Sequence, residues 1–267
     1  MVTIDSTVAH TSRIYDYLLG GTDNFAIDRE VADHAFAAYP GGLDGARHDA
    51  RANRAFLGRA VRYLAGEAGI RQFLDIGTGI PNADNTHAVA RSVAPDARIV
   101  YVDNDPIVLA HAHALLDPTA EGRTAYVDGD LRDPQGIIDQ AAATLDFRQP
   151  VALVLVGLLH VIPDDSDPYG HVADLVEAVA PGSYLVLSHL TSDVQGGDMS
   201  VVHGRLDERM RATNPPALRS RDDVARFLDG LDLVEPGVVP AARWRPDEAT
   251  GADDRPSPLY AAVGRKA

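Results

Sequence analysis

The stretch Gln72-Phe73-Leu74-Asp75-Ile76-Gly77-Thr78-Gly79 decides the fold. A short apolar run enters it and two glycines leave it, the pattern of a strand turning into a helix where backbone comes close to a ligand. Outward from it the chain alternates strand and helix. Strands are expected at 72–76, 98–103, 124–128, 151–156 and 183–189, with helices at 85–93, 106–116, 134–143 and 168–179. Runs such as Val151-Ala152-Leu153-Val154-Leu155-Val156 are apolar throughout, which suits strands covered on both faces of a parallel sheet. Repeated strand–helix–strand units of this length predict an α/β, doubly wound sheet.

Before this stretch the chain reads as helical. A short helix over 13–19 stops at Gly20-Gly21, and Asp28 is expected to cap a second with Val31, Ala35, Phe36 and Tyr39 on its apolar face. Pro40-Gly41-Gly42 breaks the chain, and a longer helix is expected over 49–68 before Gly69. After Thr191 the alternation loosens: a helix over 198–211, a capping box of Ser220 and Asp223 opening 221–228, and two weaker strands near 231–234 and 259–263. With no repeat and no linker, one structural unit is expected, a helical cap over 1–70 packed on a core over 71–267.

Composition narrows the function classes. The 267 residues are 45% hydrophobic and 24% charged, with a formal net charge of -15 at pH 7. That field opposes polyanions, so nucleic acid is not an expected partner. Cysteine is absent, which excludes disulfides, thiolate metal sites, cysteine nucleophiles and three-cysteine iron–sulfur clusters. No apolar run reaches membrane-spanning length and no signal pattern opens the chain, so a cytoplasmic protein without a membrane partner is expected. Lys266 is the only lysine, and Ala, Asp, Gly and Pro abound, the composition of a GC-rich bacterial genome.

The glycine loop by itself suits several ligands. A dinucleotide fingerprint wants a third glycine where Asn82 stands, behind Pro81, and Asp75 sits more naturally beside a cationic amino acid group than beside a pyrophosphate. No Gly-Lys-Ser or Gly-Lys-Thr of a P-loop occurs. The second strand ends in Asp103, followed by Asn104, where a carboxylate can accept both ribose hydroxyls of an adenosine cofactor. The third ends in Asp128-Gly129-Asp130-Leu131, where an acid can read an adenine amino group and Leu131 can pack the ring. Each acid alone also suits a turn or a helix start. Three in order, with the glycine loop at the first, point to a site at the carboxyl ends of an open sheet.

Residues Phe73–Gly79, Tyr101–Asp105 and Asp128–Leu131 resemble the first three motifs of class I methyltransferases. Arg13-Ile14-Tyr15-Asp16-Tyr17-Leu18-Leu19-Gly20-Gly21-Thr22-Asp23-Asn24-Phe25, Asn53-Arg54-Ala55-Phe56-Leu57 and the run from Asp75 to His87 resemble, more narrowly, an actinobacterial S-adenosyl methyltransferase family once known as a domain of unknown function. The resemblance implies a Rossmann-like, seven-stranded, mostly parallel sheet whose last strand is antiparallel. It also implies S-adenosyl-L-methionine as cofactor, with cofactor roles for Asp75, Gly77, Gly79, Asp103 and Asp130. Thr78, Asn104 and Leu131 join them by position.

Arg54 is a partner for a methionine carboxylate, or else a solvated surface arginine. His87 either caps its helix or touches the ligand. Arg13, Tyr17, Asp23 and Asn24 are candidates for covering the site and meeting substrate, against the reading of a plain surface helix. His160 and His189, where the fourth and fifth strands end, are candidates for a general base or for pocket lining. Asn214-Pro215-Pro216-Ala217 lacks the aromatic of an amino-methyltransferase loop and reads as a proline turn. His111 and His113 fall on different helix faces, so no metal is expected. The leading expectation is a small-molecule methyltransferase. The alternatives are a cofactor-binding regulatory protein without catalysis and an NAD-dependent oxidoreductase.

Overall fold

A computed structural model describes residues 6–80, 85–105, 107–108, 123–191, 193, 199–210, 217–246, 255 and 257–267. The proline turn at 214–216, both histidines of the expected 106–116 helix and most of that helix lie outside the described residues, as do Pro81 and Asn82.

Five parallel strands form the centre: β1 (Gln72–Ile76), β2 (Arg98–Asp103), β3 (Thr124–Asp128), β4 (Ala152–Val156) and β5 (Tyr184–Leu190). The sheet order is β3-β2-β1-β4-β5-β8-β6, so the chain winds outward from β1 in both directions. The last strand, β8 (Leu259–Arg265), runs antiparallel along the whole of β5, from Tyr184 opposite Arg265 to Leu190 opposite Leu259. The expected seven strands become eight hydrogen-bonded segments, because the edge strand is split. β6 (Asp232–Leu233) and β7 (Val239–Pro240) both pair with β8, and Pro236-Gly237 interrupts the register between them.

Alternation along each strand divides the core into two layers. Leu74, Ile76, Val100 and Val102 face α5 (Pro134–Ala141), α6 (Pro168–Ala178) and α8 (Arg221–Arg226). Phe73, Ile99, Tyr101 and Val154 face α3 (Gly42–Gly66) and α4 (Thr86–Val93). Trp244 is fully buried in the second layer, edge-on to Phe56 at 5.4 Å. Arg59 of α3 donates to the carbonyls of Trp244 (2.8 Å) and Ala241 (2.7 Å).

The remaining helices pack on one another in clusters apart from the two sheet layers. α1 (Thr11–Leu19) stops at Gly20, and α2 (Ala26–Phe36) follows. Asp28 is not the cap of α2: it stands in the first turn, buried, where its carboxylate accepts from the Phe25 amide (2.8 Å) and pairs with Arg13. α3 starts seven residues before the expected 49, after Gly41, and its early Ala46 and Ala50 pack with Leu18, Ala35 and Tyr39. α7 (Met199–Met210), far along the chain, joins them through Met199 and Val202. No helix among the described residues is long and apolar enough to cross a membrane.

Candidate functional site

The glycine loop is tied to the end of the second strand. Gly77 and Gly79 hold φ of 73° and 65°, the left-handed region that glycine occupies without a Cβ penalty. The Gly77 amide donates to the Val102 carbonyl (2.8 Å), and a Cβ there would lie 2.7 Å from Leu158 Cδ1. Thr78 follows with a longer bond to the same carbonyl (3.4 Å). Gly79 has nothing within 4 Å of its Cβ position, and its amide donates to Asp103 Oδ2 (2.9 Å). Asp103 Oδ1 accepts from the Asp105 amide (3.0 Å), and burial raises its carboxyl above the usual range. From the other side His10 Nδ1 lies 3.0 Å from Asp105 Oδ2.

Asp75 is the most desolvated of the strand-end acids. Burial pushes its carboxyl up to about 6, against the pull of a 2.6 Å hydrogen bond from Thr86 Oγ1 and the nearby Arg54 guanidinium. Arg54, from α3, donates to Asn85 Oδ1 (3.2 Å) where α4 begins. His87 meets Tyr101: its amide (2.8 Å) and Nδ1 (2.7 Å) both reach the Tyr101 hydroxyl, and Tyr101 is the register partner of Asp75. Thr86 and Tyr101 were not singled out in the sequence. Their hydroxyls are placed by the helix start and by strand register, which composition does not reveal.

At the end of β3, Asp130 accepts from Arg132 Nε (2.8 Å) and the Arg132 amide (2.9 Å), and the guanidinium holds its carboxyl well below the usual range. Asn104 Nδ2 donates to Asp130 Oδ2 (2.8 Å), joining the ends of β2 and β3. Leu131 does not stand beside these acids as an exposed apolar wall. It is buried in the core with Val102 and Ile137, where an apolar side chain gains most.

The cap residues separate. Arg13 is 1% exposed and paired with Asp28 at 2.9 Å, with its guanidinium 5.0 Å from the Phe25 ring centre. The expectation that Arg13 meets cofactor or substrate is therefore corrected: a buried guanidinium needs a buried counter-charge, and Asp28 supplies it. Tyr17 and Asn24 line a cavity, while Asp23 is exposed outside it. A further chain of bonds stitches the cap to the strand ends. The Gly157 amide donates to Ser188 Oγ (2.9 Å), Ser188 to Asn53 Oδ1 (2.7 Å), Asn53 Nδ2 to Tyr15 Oη (3.1 Å), and Tyr15 to the Ala50 carbonyl (3.2 Å).

His189 is not available as a base. It is fully buried, Arg219 Nη1 lies 2.7 Å from its Nε2, and its Nδ1 lies 2.5 Å from the Leu190 carbonyl. Since the guanidinium can only donate, Nε2 accepts and Nδ1 carries the proton. Burial lowers its pKa to about 4, so the ring stays neutral. Arg219 is the hub here, donating also to the carbonyls of Leu159 and Ile162 (both 3.0 Å) and to Asp164. His160 stands nearby, ring centre 5.9 Å from that of His189, and its carbonyl accepts from the Ala217 amide (2.7 Å).

Solved structures share this fold. A crystal structure of a DUF574 family protein from Streptomyces avermitilis is 44% identical, with 99% of this chain and 100% of that chain covered and a TM-score of 0.91. A putative methyltransferase from Thermobifida fusca is 42% identical over 98% of this chain and 96% of its own, with a TM-score of 0.87. A mitomycin 7-O-methyltransferase, 16% identical over 96% of this chain and 68% of its own, shares the fold at a TM-score of 0.52. No curated protein matches. The family profile described as S-adenosyl methyltransferase matches residues 1–267, and the chain belongs to that family.

Proposed function

We propose that the protein transfers a methyl group from S-adenosylmethionine to a small-molecule acceptor. The observation that carries this reading is the bond from the Gly79 amide to Asp103, which brings glycine loop and strand-end acid together, flanked by Asp75 and Asp130 on the neighbouring strands. The residues fit the cofactor. The space beside Gly79 admits a ligand against bare backbone. Asp103 keeps acceptor capacity for ribose hydroxyls, because each carboxylate oxygen can take a second bond. Asp75 and Arg54 offer opposite charges to the amino and carboxylate groups of the methionyl part. Asp130, with Asn104 beside it, is placed to accept from an adenine amino group.

When bound, the cofactor would supply a sulfonium-activated methyl group for an acceptor lone pair. What remains for the chain is alignment and exclusion of water, the terms that dominate such transfers. The helices α1, α2, α3 and α7 offer a surface on which an acceptor could be held, and the strong negative charge favours a small acceptor over a nucleic acid. Calorimetry on the folded chain with S-adenosylmethionine, its demethylated product and NAD tests the binding half. Saturable binding of the first two, weakened at least tenfold by Asp103→Ala, is expected; NAD binding alone would overturn it. Radiolabelled methyl transfer into a cell extract separates an enzyme from a regulatory binder.

A further inference from the structure

We propose that the cavity between α1, α2 and α3 binds an anionic group, a carboxylate or a phosphate, carried by the methyl acceptor. The cavity measures about 390 Å³, and Tyr17, Gly21, Asn24, Arg29, Arg47 and Arg51 line it. Among the described residues, its wall holds three guanidiniums and no carboxylate. Arg51 makes no hydrogen bond or ion pair with any described residue. Among the described residues, Arg29 donates through Nη1, to the Asn24 carbonyl (3.2 Å) and Oδ1 (2.9 Å). Arg47 donates to the Tyr17 hydroxyl (2.9 Å), and its carboxylate neighbour Asp44 is 3.5 Å away on an exposed side chain. Asp16 and Asp33 stand just outside the wall, where they accept from the lining residues Asn24 (2.8 Å) and Tyr17 (3.0 Å).

Like charges four residues apart on a helix repel, as Arg47 and Arg51 do. The nearest acids, Asp16, Asp33 and Asp44, stand outside the lining, so an anion entering the cavity meets guanidinium donors directly. Guanidinium forks suit carboxylate and phosphate oxygens in particular. The position is also apt. Arg47, Arg51 and Arg54 follow at i, i+4 and i+7, one stripe of α3, so the cavity's arginines lie about 5 to 10 Å along the helix from the one beside Asn85. An anion held there anchors the far end of an acceptor whose reacting atom points at the cofactor end, the arrangement in which remote binding aligns a reaction.

This inference rests on the methyltransferase reading, and the test keeps the two apart. The full chain is titrated calorimetrically with benzoate, phenyl phosphate and neutral benzamide, and separately with S-adenosylhomocysteine. At least one of the two anions is expected to bind and benzamide not to. Arg51→Gln, at an exposed side chain without a partner among the described residues, should weaken the anion at least tenfold and leave the melting temperature and S-adenosylhomocysteine affinity unchanged. Arg148→Gln, in the exposed turn before β4, should change nothing. Which anion binds identifies the group. Absence of binding by either anion at millimolar concentration, equal binding of benzamide, or an unaltered Arg51→Gln overturns the proposal. Failure of S-adenosylhomocysteine to bind overturns the cofactor reading instead, whatever the anions do.

Discussion

Buried beside Thr86, Arg54 and the like-charged Asp103, the Asp75 carboxyl titrates near 6, above the value of an unfolded chain. The fold therefore favours its neutral form. Below about pH 4 this acid costs nothing; as pH rises towards 6 its ionisation opposes folding, by about 3 kcal/mol once complete. A cationic ligand reverses the preference, because it is held by the ionised form. Cofactor affinity should thus rise up to about tenfold per pH unit below 6 and level off above, and Asp75→Asn should flatten the profile; calorimetry from pH 5 to 8 checks both. Arg219 gives the second residue-scale prediction. Arg219→Ala strips donors from two carbonyls and from His189 Nε2, so urea unfolding should show a loss of about 3 kcal/mol. Unchanged stability would return His189 to the list of bases. The sequence made the strand-end acids legible because strand ends follow from alternation. It did not reveal the roles of Arg13 and His189, since their partners lie 15 and 30 residues away.

Among the elements, the first three strands fell where strand–helix alternation put them, to the residue, although only β1 and β2 are buried nearly throughout and β3, at the sheet edge, is half-buried. The early start of α3 and the split edge strand were not legible. Gly41 and Gly42 read as a break when Gly41 only precedes the helix, and pairing along β8 depends on contacts remote in sequence. The turn after β1 separates two glycines with similar dihedrals. Gly77→Ala meets both a left-handed φ and Leu158, and should cost about 3 kcal/mol. Gly79→Ala meets open space, so about 1 to 2 kcal/mol is expected for the dihedral alone, while cofactor affinity falls at least tenfold. Urea melts beside calorimetry distinguish the pair; equal stability losses would refute the steric account of Gly77.

On the scale of the whole molecule, the cap is held by features of its own. Arg13 and Asp28 form a buried ion pair between α1 and α2, and Ile14, Val31 and Ala32 pack in a small cluster apart from the two sheet layers. Arg13→Met should therefore speed hydrogen exchange in α1 and α2 far more than in β1 to β5. Uniform acceleration would mean that cap and core unfold as one. α3 belongs to both parts, with Ala46 and Ala50 in the cap and Phe56 to Leu64 against the sheet. Its 25 residues make a rod of about 37 Å. One inserted residue between Arg51 and Arg54 would turn the cavity by about 100° relative to Arg54. The spacing of the two regions is consequently quantised: it changes only by whole turns of three or four residues, a ratchet of about 5 Å per step.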